Sequence, residues 1–274
     1  MFTLMLGVLA FAKEIPESSP DHAYHYQGAP VSVDGVTFTA PVAWARQAEL
    51  TFKVAIENTT TDWVLLRKDG LSYLAGGGAF APKDNRRFEI VKPNGKGAHT
   101  FGIADELGRM HHREMAIRLR EAWRVDPTGT ALSTPPTSLP ATARSFTVGG
   151  FSCELSGKVT QETDKTAAKY ECIYNAAPGT VGIVHESAAQ FKTATGLTFA
   201  NEEGGKRDLV LPGDKVGIKL KVTAIQPGPH GVDMQKSVLT VDWTGVFAEA
   251  PLRPIAVPEW TFTLNEALTA EKNR

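Results

Sequence analysis

The sequence predicts an all-β chain built from two tandem antiparallel β-sandwich domains related by internal duplication. Three observations predict it. Apolar and polar residues alternate strictly in several stretches, which is the mark of strands with one buried and one wet face. Glycine (25 residues) and proline (17) punctuate the 274-residue chain, and helix-length apolar periodicity is scarce. A series of features also recurs in the same order, at offsets that drift only between 115 and 120.

The chain opens on Met1-Phe2-Thr3-Leu4-Met5-Leu6-Gly7-Val8-Leu9-Ala10-Phe11-Ala12. This run is uncharged from Phe2 to Ala12 and too short to span a bilayer. Ala10-Phe11-Ala12 fits a small-x-small cleavage pattern, so residues 1–12 read as a signal peptide cut after Ala12. No Lys or Arg precedes the apolar run, and a buried first strand is the alternative reading. Residues 13–30, rich in Pro, Ser and charge, read as a flexible leader.

The first sandwich is expected over 31–134. Leu50, Phe52, Val54 and Ile56 alternate with Thr51, Lys53, Ala55 and Glu57. A second alternating run carries Met115, Ile117, Leu119, Trp123 and Val125 inward, interrupted at Glu121. Thr134-Pro135-Pro136-Thr137-Ser138-Leu139-Pro140-Ala141 has linker chemistry, so a Pro-rich linker is expected at 135–143. The second sandwich then occupies 144–265, and 266–274 forms a C-terminal tail, a short helix or frayed end. Trp260 to Leu264 fits either a last strand of the second sandwich or a tail segment.

The repeat rests on matched positions. Val33-Asp34-Gly35 matches Val148-Gly149-Gly150, and Asn58 matches Asn175. Gly78-Ala79-Phe80-Ala81 matches Leu197-Thr198-Phe199-Ala200, and Val91-Lys92-Pro93 matches Val210-Leu211-Pro212, both at an offset of 119. Leu119 and Trp123 match Leu239 and Trp243 at an offset of 120. A strand ending in Asn, a later Gly/Phe hairpin and a Pro-Gly turn entering a Lys-rich strand resemble telokin-like, immunoglobulin-related bacterial envelope modules. The resemblance covers about 50 residues per copy and implies an Ig-like sandwich that binds or senses outside the cytoplasmic membrane.

Cys153 and Cys172 are the only cysteines. A hairpin pairing residues whose numbers sum to 325, with its turn at Gln161-Glu162-Thr163-Asp164, sets Phe151 opposite Tyr174, Cys153 opposite Cys172 and Leu155 opposite Tyr170. The register that buries this face therefore also opposes the cysteines, and a disulfide is expected in an exported protein. Two reduced cysteines packed as small hydrophobes are the alternative.

Net charge is −1 and the isoelectric point about 6.7, so nothing steers the whole chain toward nucleic acid or an anionic membrane. No Gly-x-Ser-x-Gly elbow or Walker loop is present, and His185-Glu186 lacks the second histidine of a metalloprotease. Gly76-Gly77-Gly78 leads into Pro82 and reads as a hairpin turn, not a dinucleotide loop. No catalytic or cofactor-binding residue is expected, and no cofactor. Arg118, Arg120 and Arg124 share one face of an extended segment, with Arg113 upstream. Such a row suits an anionic envelope component or a protein partner, and a solvated strand face is the plainer reading. His111 and His112, and His22 and His25 in the leader, are metal-ligand candidates weakened by neighbouring arginines and by a flexible tether. Together these features predict a periplasmic or secreted bacterial binding or adaptor protein, without a transmembrane segment after cleavage. A structural subunit of a surface assembly and a carbohydrate-active enzyme are the alternatives.

Overall fold

Side chains alternate between more and less buried along long strands such as Glu49–Asn58 and Lys165–Tyr174, and the described residues are all-β with a single short helix, Glu266–Lys272. The computed structural model describes residues 14–82, 88–105, 107–140, 144–176, 178–205, 207–223 and 232–274. The expected signal peptide and its cleavage after Ala12 lie outside the described residues. No helix among them is long and apolar enough to cross a membrane.

The chain divides into two units, and the second is inserted in the sequence of the first: residues 1–124 with 254–274, and residues 125–253. These limits correct the expected boundaries. Trp260–Leu264 belongs to the first unit, where it lies between Glu114–Leu119 and Tyr24–Gln27. The expected leader is therefore not flexible along its length, because Tyr24–Gln27 is an internal strand of a sheet. The expected tail is tied down as well. Asn273 accepts from the Ala23 amide through Oδ1 at 2.9 Å and donates through Nδ2 to the Ala23 carbonyl at 2.9 Å. Nor is 135–143 a bare linker: Thr137–Leu139 pairs with Leu239–Asp242, and Thr137 Oγ1 accepts from the Trp243 indole at 2.9 Å.

In the first unit a nine-stranded antiparallel sheet runs Gly78–Phe80, Leu71–Ala75, Glu114–Leu119, Trp260–Leu264, Tyr24–Gln27, Val36–Arg46, Glu49–Asn58 and Lys96–Ala104, with Val31–Val33 beside Val36–Arg46. Ala122–Val125, Trp63–Arg67 and Phe88–Val91 form part of a second sheet. The core between them includes Phe38, Phe52, Phe101, Tyr73, Trp260 and Phe262. The Phe52 and Phe101 rings stack at 5.1 Å, and the buried Trp260 indole donates to the Ala29 carbonyl at 2.6 Å, which satisfies its one polar atom.

In the second unit a five-stranded sheet holds Ser145–Val148, Phe151–Leu155, Lys165–Tyr174 and Thr160–Gln161, with Lys215–Thr223 on the far side of Lys165–Tyr174. Two four-stranded sheets complete it, one around Thr180–His185 and one around Gln190–Thr193. Phe146, Phe151, Tyr170, Trp243 and Phe247 form a continuous aromatic cluster with centroid separations of 5.0–6.0 Å.

The pairing plan is the same in both units. Val31–Val33 with Val36–Arg46 corresponds to Ser145–Val148 with Phe151–Leu155, and each hairpin turns through residues with positive φ, Asp34-Gly35 and Gly149. Glu49–Asn58 with Lys96–Ala104 corresponds to Lys165–Tyr174 with Lys215–Thr223. Trp63–Arg67 with Phe88–Val91 corresponds to Thr180–His185 with Arg207–Val210. A 3-10 turn follows in each, Lys68–Gly70 and Glu186–Ala188. The details agree too: the Thr59 amide donates to Gly35, as Asn175 does to Gly150, and the Asn58 amide donates to Gly95, as Tyr174 does to Asp214.

This geometry corrects two sequence matches. Asn58 stands where Tyr174 stands, one residue before Asn175. Ile117 opposes Tyr73 as Val241 opposes Phe191, so Leu119 corresponds to Trp243, four residues away from the sequence match. Trp123 is half-buried, whereas Trp243 is fully buried. A slip by an even number keeps every side chain on its face, so alternation alone cannot detect it.

The cysteine hairpin pairs as expected: Phe151 with Tyr174, Cys153 with Cys172, Leu155 with Tyr170. Cys153 and Cys172 are disulfide-bonded across a Cα separation of 4.0 Å, close to the spacing of a non-hydrogen-bonded cross-strand pair. Beyond Leu155 the register changes. Thr160 opposes Ala167, so two extra residues loop out around Gly157, which has φ of +81°, and the tight turn moves to Glu162–Lys165.

Candidate functional site

The expected arginine row does not form. Extended structure breaks at Arg120 and Glu121, because the chain crosses there from one sheet to the other. Arg118 lies in the nine-stranded sheet and Arg124 in the second sheet. Their charges are engaged by acids from distant sequence: Arg118 Nη2 meets Glu259 Oε2 at 2.7 Å, and Arg113 Nη1 meets Glu266 Oε1 at 2.8 Å. Arg124 is flanked by Asp34 and Asp62, each at 3.9 Å. Arg120 projects its side chain into solvent while its amide donates to Gly70 at 3.1 Å. Alternation carried one face straight through this corner, but beyond it Ala122 is buried in the core and Trp123, expected inward, is only half-buried.

The histidines fall into separate surroundings. His22 Nδ1 donates to the Ile15 carbonyl at 2.9 Å, and His111 Nε2 donates to the His22 carbonyl at 2.8 Å. The two rings stand edge to face at 6.3 Å, and His111 stacks on Tyr24 at 4.3 Å. Burial pushes the His111 pKa down. His112 Nε2 donates to the Arg109 carbonyl at 2.7 Å. Burial and then the nearby Lys272 ammonium lower the pKa of His25. His22 and His111 thus act as struts that tie the segment from Ile15 to His22 to the first unit. Among the described residues no group of three or more His, Cys, Asp or Glu side chains is placed to hold a metal ion.

The most open chemistry lies on the outer face of the second unit's five-stranded sheet. Lys165–Tyr174 and Lys215–Thr223 pair over nine registered positions. Their inward residues form the core, and ten outward positions remain: Lys165, Ala167, Lys169, Glu171 and Ile173 on one strand, Lys215, Gly217, Lys219, Lys221 and Thr223 on the other. Lys169 and Lys219 oppose each other directly, an arrangement that ordinarily disfavours a strand pair. The Lys169 stem passes over Gly217, where a Cβ would sit 3.1 Å from its Cε, so the glycine makes room for it. Lys169 Nζ reaches Glu171 at 3.0 Å and Lys221 Nζ reaches Glu202 at 3.3 Å. Lys165 and Lys219 carry no side-chain hydrogen bond or ion pair among the described residues.

Beside this row a groove of about 910 Å³ runs along Ser145–Val148. Ser152, Glu154, Glu171 and Ile173 line its floor, with Arg144 and Lys215 at its margins. Glu154 and Glu171 are directly opposed. The Lys169 ammonium, by hydrogen bond and by charge, holds the Glu171 carboxyl below its usual range, so Glu171 stays ionised and is a poor proton donor.

The free edge of Lys215–Thr223 is closed by side chains. The amides of Lys219, Lys221 and Thr223 donate to Glu186 Oε1, Asn201 Oδ1 and Glu202 Oε1. Asn201 Nδ2 and the Glu202 amide return donors to the carbonyls of Lys219 and Lys221, at 3.0 and 2.9 Å. Strand addition at this edge is blocked, and the lysine face is what remains accessible. The signal for that face was present in the sequence as lysines two and four apart on alternating strands, but the partner strand had to be known to join them. No protein-family model and no curated protein sequence matches the chain.

Proposed function

We propose that the chain is an exported, non-catalytic binding or adaptor protein of the bacterial cell envelope, built from two Ig-like sandwich domains that arose by duplication. The Cys153–Cys172 disulfide carries this reading, because such bonds persist in oxidising compartments and are reduced in the cytosol. The small-x-small sequence ending at Ala12 supports export, and the matched pairing plans of the two units support duplication. The ligand surface is assigned to the second unit's sheet face and groove, because the first unit's Arg113, Arg118 and Arg124 already face carboxylates within their own unit. The test is to express the full chain with a C-terminal tag in a bacterium, fractionate the cells, and use the purified product to capture partners from envelope extract. The expected product begins at Lys13, lies outside the cytoplasm and contains no free thiol. A product that keeps Met1, stays in the cytoplasm and reacts with thiol reagents would sink the reading.

A further inference from the structure

Resting on that reading, we infer that the lysine face of the second unit binds a linear acidic polysaccharide. The two strands present Lys165, Lys169, Lys215, Lys219 and Lys221 against a single Glu171 on ten outward positions. The corresponding strands of the first unit present two lysines, Lys53 and Lys96, against two glutamates, Glu49 and Glu57, in the same ten positions. One pairing plan therefore carries a neutral face in one unit and a cationic face in the other.

Successive outward positions lie about 7 Å apart along a strand, and opposed ones about 5 Å apart across it. That is an extended array of point charges, suited to a polymer with a charge on each repeating unit. Lys169 turns over Gly217 to Glu171, which offsets part of the cost of opposing it to Lys219, and among the described residues Lys219 keeps an ammonium with no counter-charge of its own. Lysine ammonium groups are hydrated point charges, not bidentate forks, so the attraction is summed over the row and screened by salt. The outward positions of these strands carry no aromatic ring on which bases could stack, which argues against single-stranded nucleic acid. Ile173 is the one large apolar side chain among them, which argues against insertion into a lipid surface. The polar floor of the adjoining groove, with Ser152 and Glu154, offers hydroxyl and carboxylate partners to sugar hydroxyls.

The test is binding of the full-length oxidised protein to immobilised polygalacturonate across a salt series. Duplex DNA and anionic phospholipid vesicles serve as parallel arms. Lys169→Ser/Lys219→Ser is compared with Arg113→Ser/Arg118→Ser, which removes the same net charge from the first unit. The expected result is salt-sensitive binding to polygalacturonate that weakens about tenfold in the lysine variant and stays within twofold in the arginine variant. Equal losses in the two variants, or none in either, would overturn the assignment to this face. Stronger binding to DNA or vesicles, or no binding to any of the three, would overturn the ligand class. None of these results touches the binding-protein reading, which the secretion and capture experiment decides.

Discussion

The two units share a strand-pairing plan and close it by different means. In the first, Tyr24–Gln27 and Trp260–Leu264 enter between Glu114–Leu119 and Val36–Arg46 and join two groups of strands into one nine-stranded sheet. In the second, the corresponding groups remain separate sheets, and a covalent bond and a side-chain ladder supply restraint instead. The disulfide stands where the first unit has a cross-strand apolar pair: Phe38 opposes Ile56 as Cys153 opposes Cys172, and all four residues are buried. The same core position is filled by volume in one unit and by a bond in the other, so the bridge is an addition to the plan, not a requirement of it.

Cutting the first unit's closure should have the largest effect. Trp260→Ala removes a fully buried indole and its hydrogen bond to Ala29, and should cost about 3–5 kcal/mol of stability. Hydrogen exchange should show lost protection across residues 24–58 and 114–119 while 165–174 stays protected. Equal loss in both units would show that they unfold as one.

Next in size is the bridge. Cys153→Ala/Cys172→Ala should cost about 2–4 kcal/mol, read as a lower urea midpoint for the second unit. A change below about 0.5 kcal/mol would mean that the two cysteines contribute only packing.

Acid titration should give the smallest effect, and it should appear in both units. The Arg109 guanidinium beside Asp105 and the Lys192 ammonium beside Asp242 hold these carboxyls down from 3.8 to about 2. A depressed folded-state pKa stabilises the native state at higher pH, and that share is lost as pH falls from 3.8 to about 2. Asp105→Asn and Asp242→Asn should each flatten the acid limb of stability against pH in that window, measured by urea midpoints. An unchanged slope in either variant would remove that aspartate from the acid response.

The sequence was most informative where partners are close in the chain. The hairpin register through Cys153 and Cys172, the turn at Gly76-Gly77 and the buried face of Leu50, Phe52, Val54 and Ile56 all follow from alternation over a few residues. It left Trp260–Leu264 open between a strand and a tail and did not point to the first unit, because its pairing with Tyr24–Gln27 spans almost the whole chain and leaves no local mark. The arginines failed for the same reason. Their carboxylate partners, Glu259, Glu266, Asp34 and Asp62, are neighbours only after the sheets form. The lysine face shows the intermediate case: each strand's alternation was legible, and the pairing of Lys169 with Lys219 was not.

The pairing of Tyr24–Gln27 with Trp260–Leu264 also sets an order of events. During synthesis every strand of residues 125–253 is made before Trp260, so Tyr24–Gln27 leaves the ribosome long before the strand it pairs with. A host sheet left open for that interval exposes unpaired backbone at the edge of Tyr24–Gln27. A chain kept unfolded until it has crossed a membrane avoids that interval, because both terminal strands are then present when folding begins.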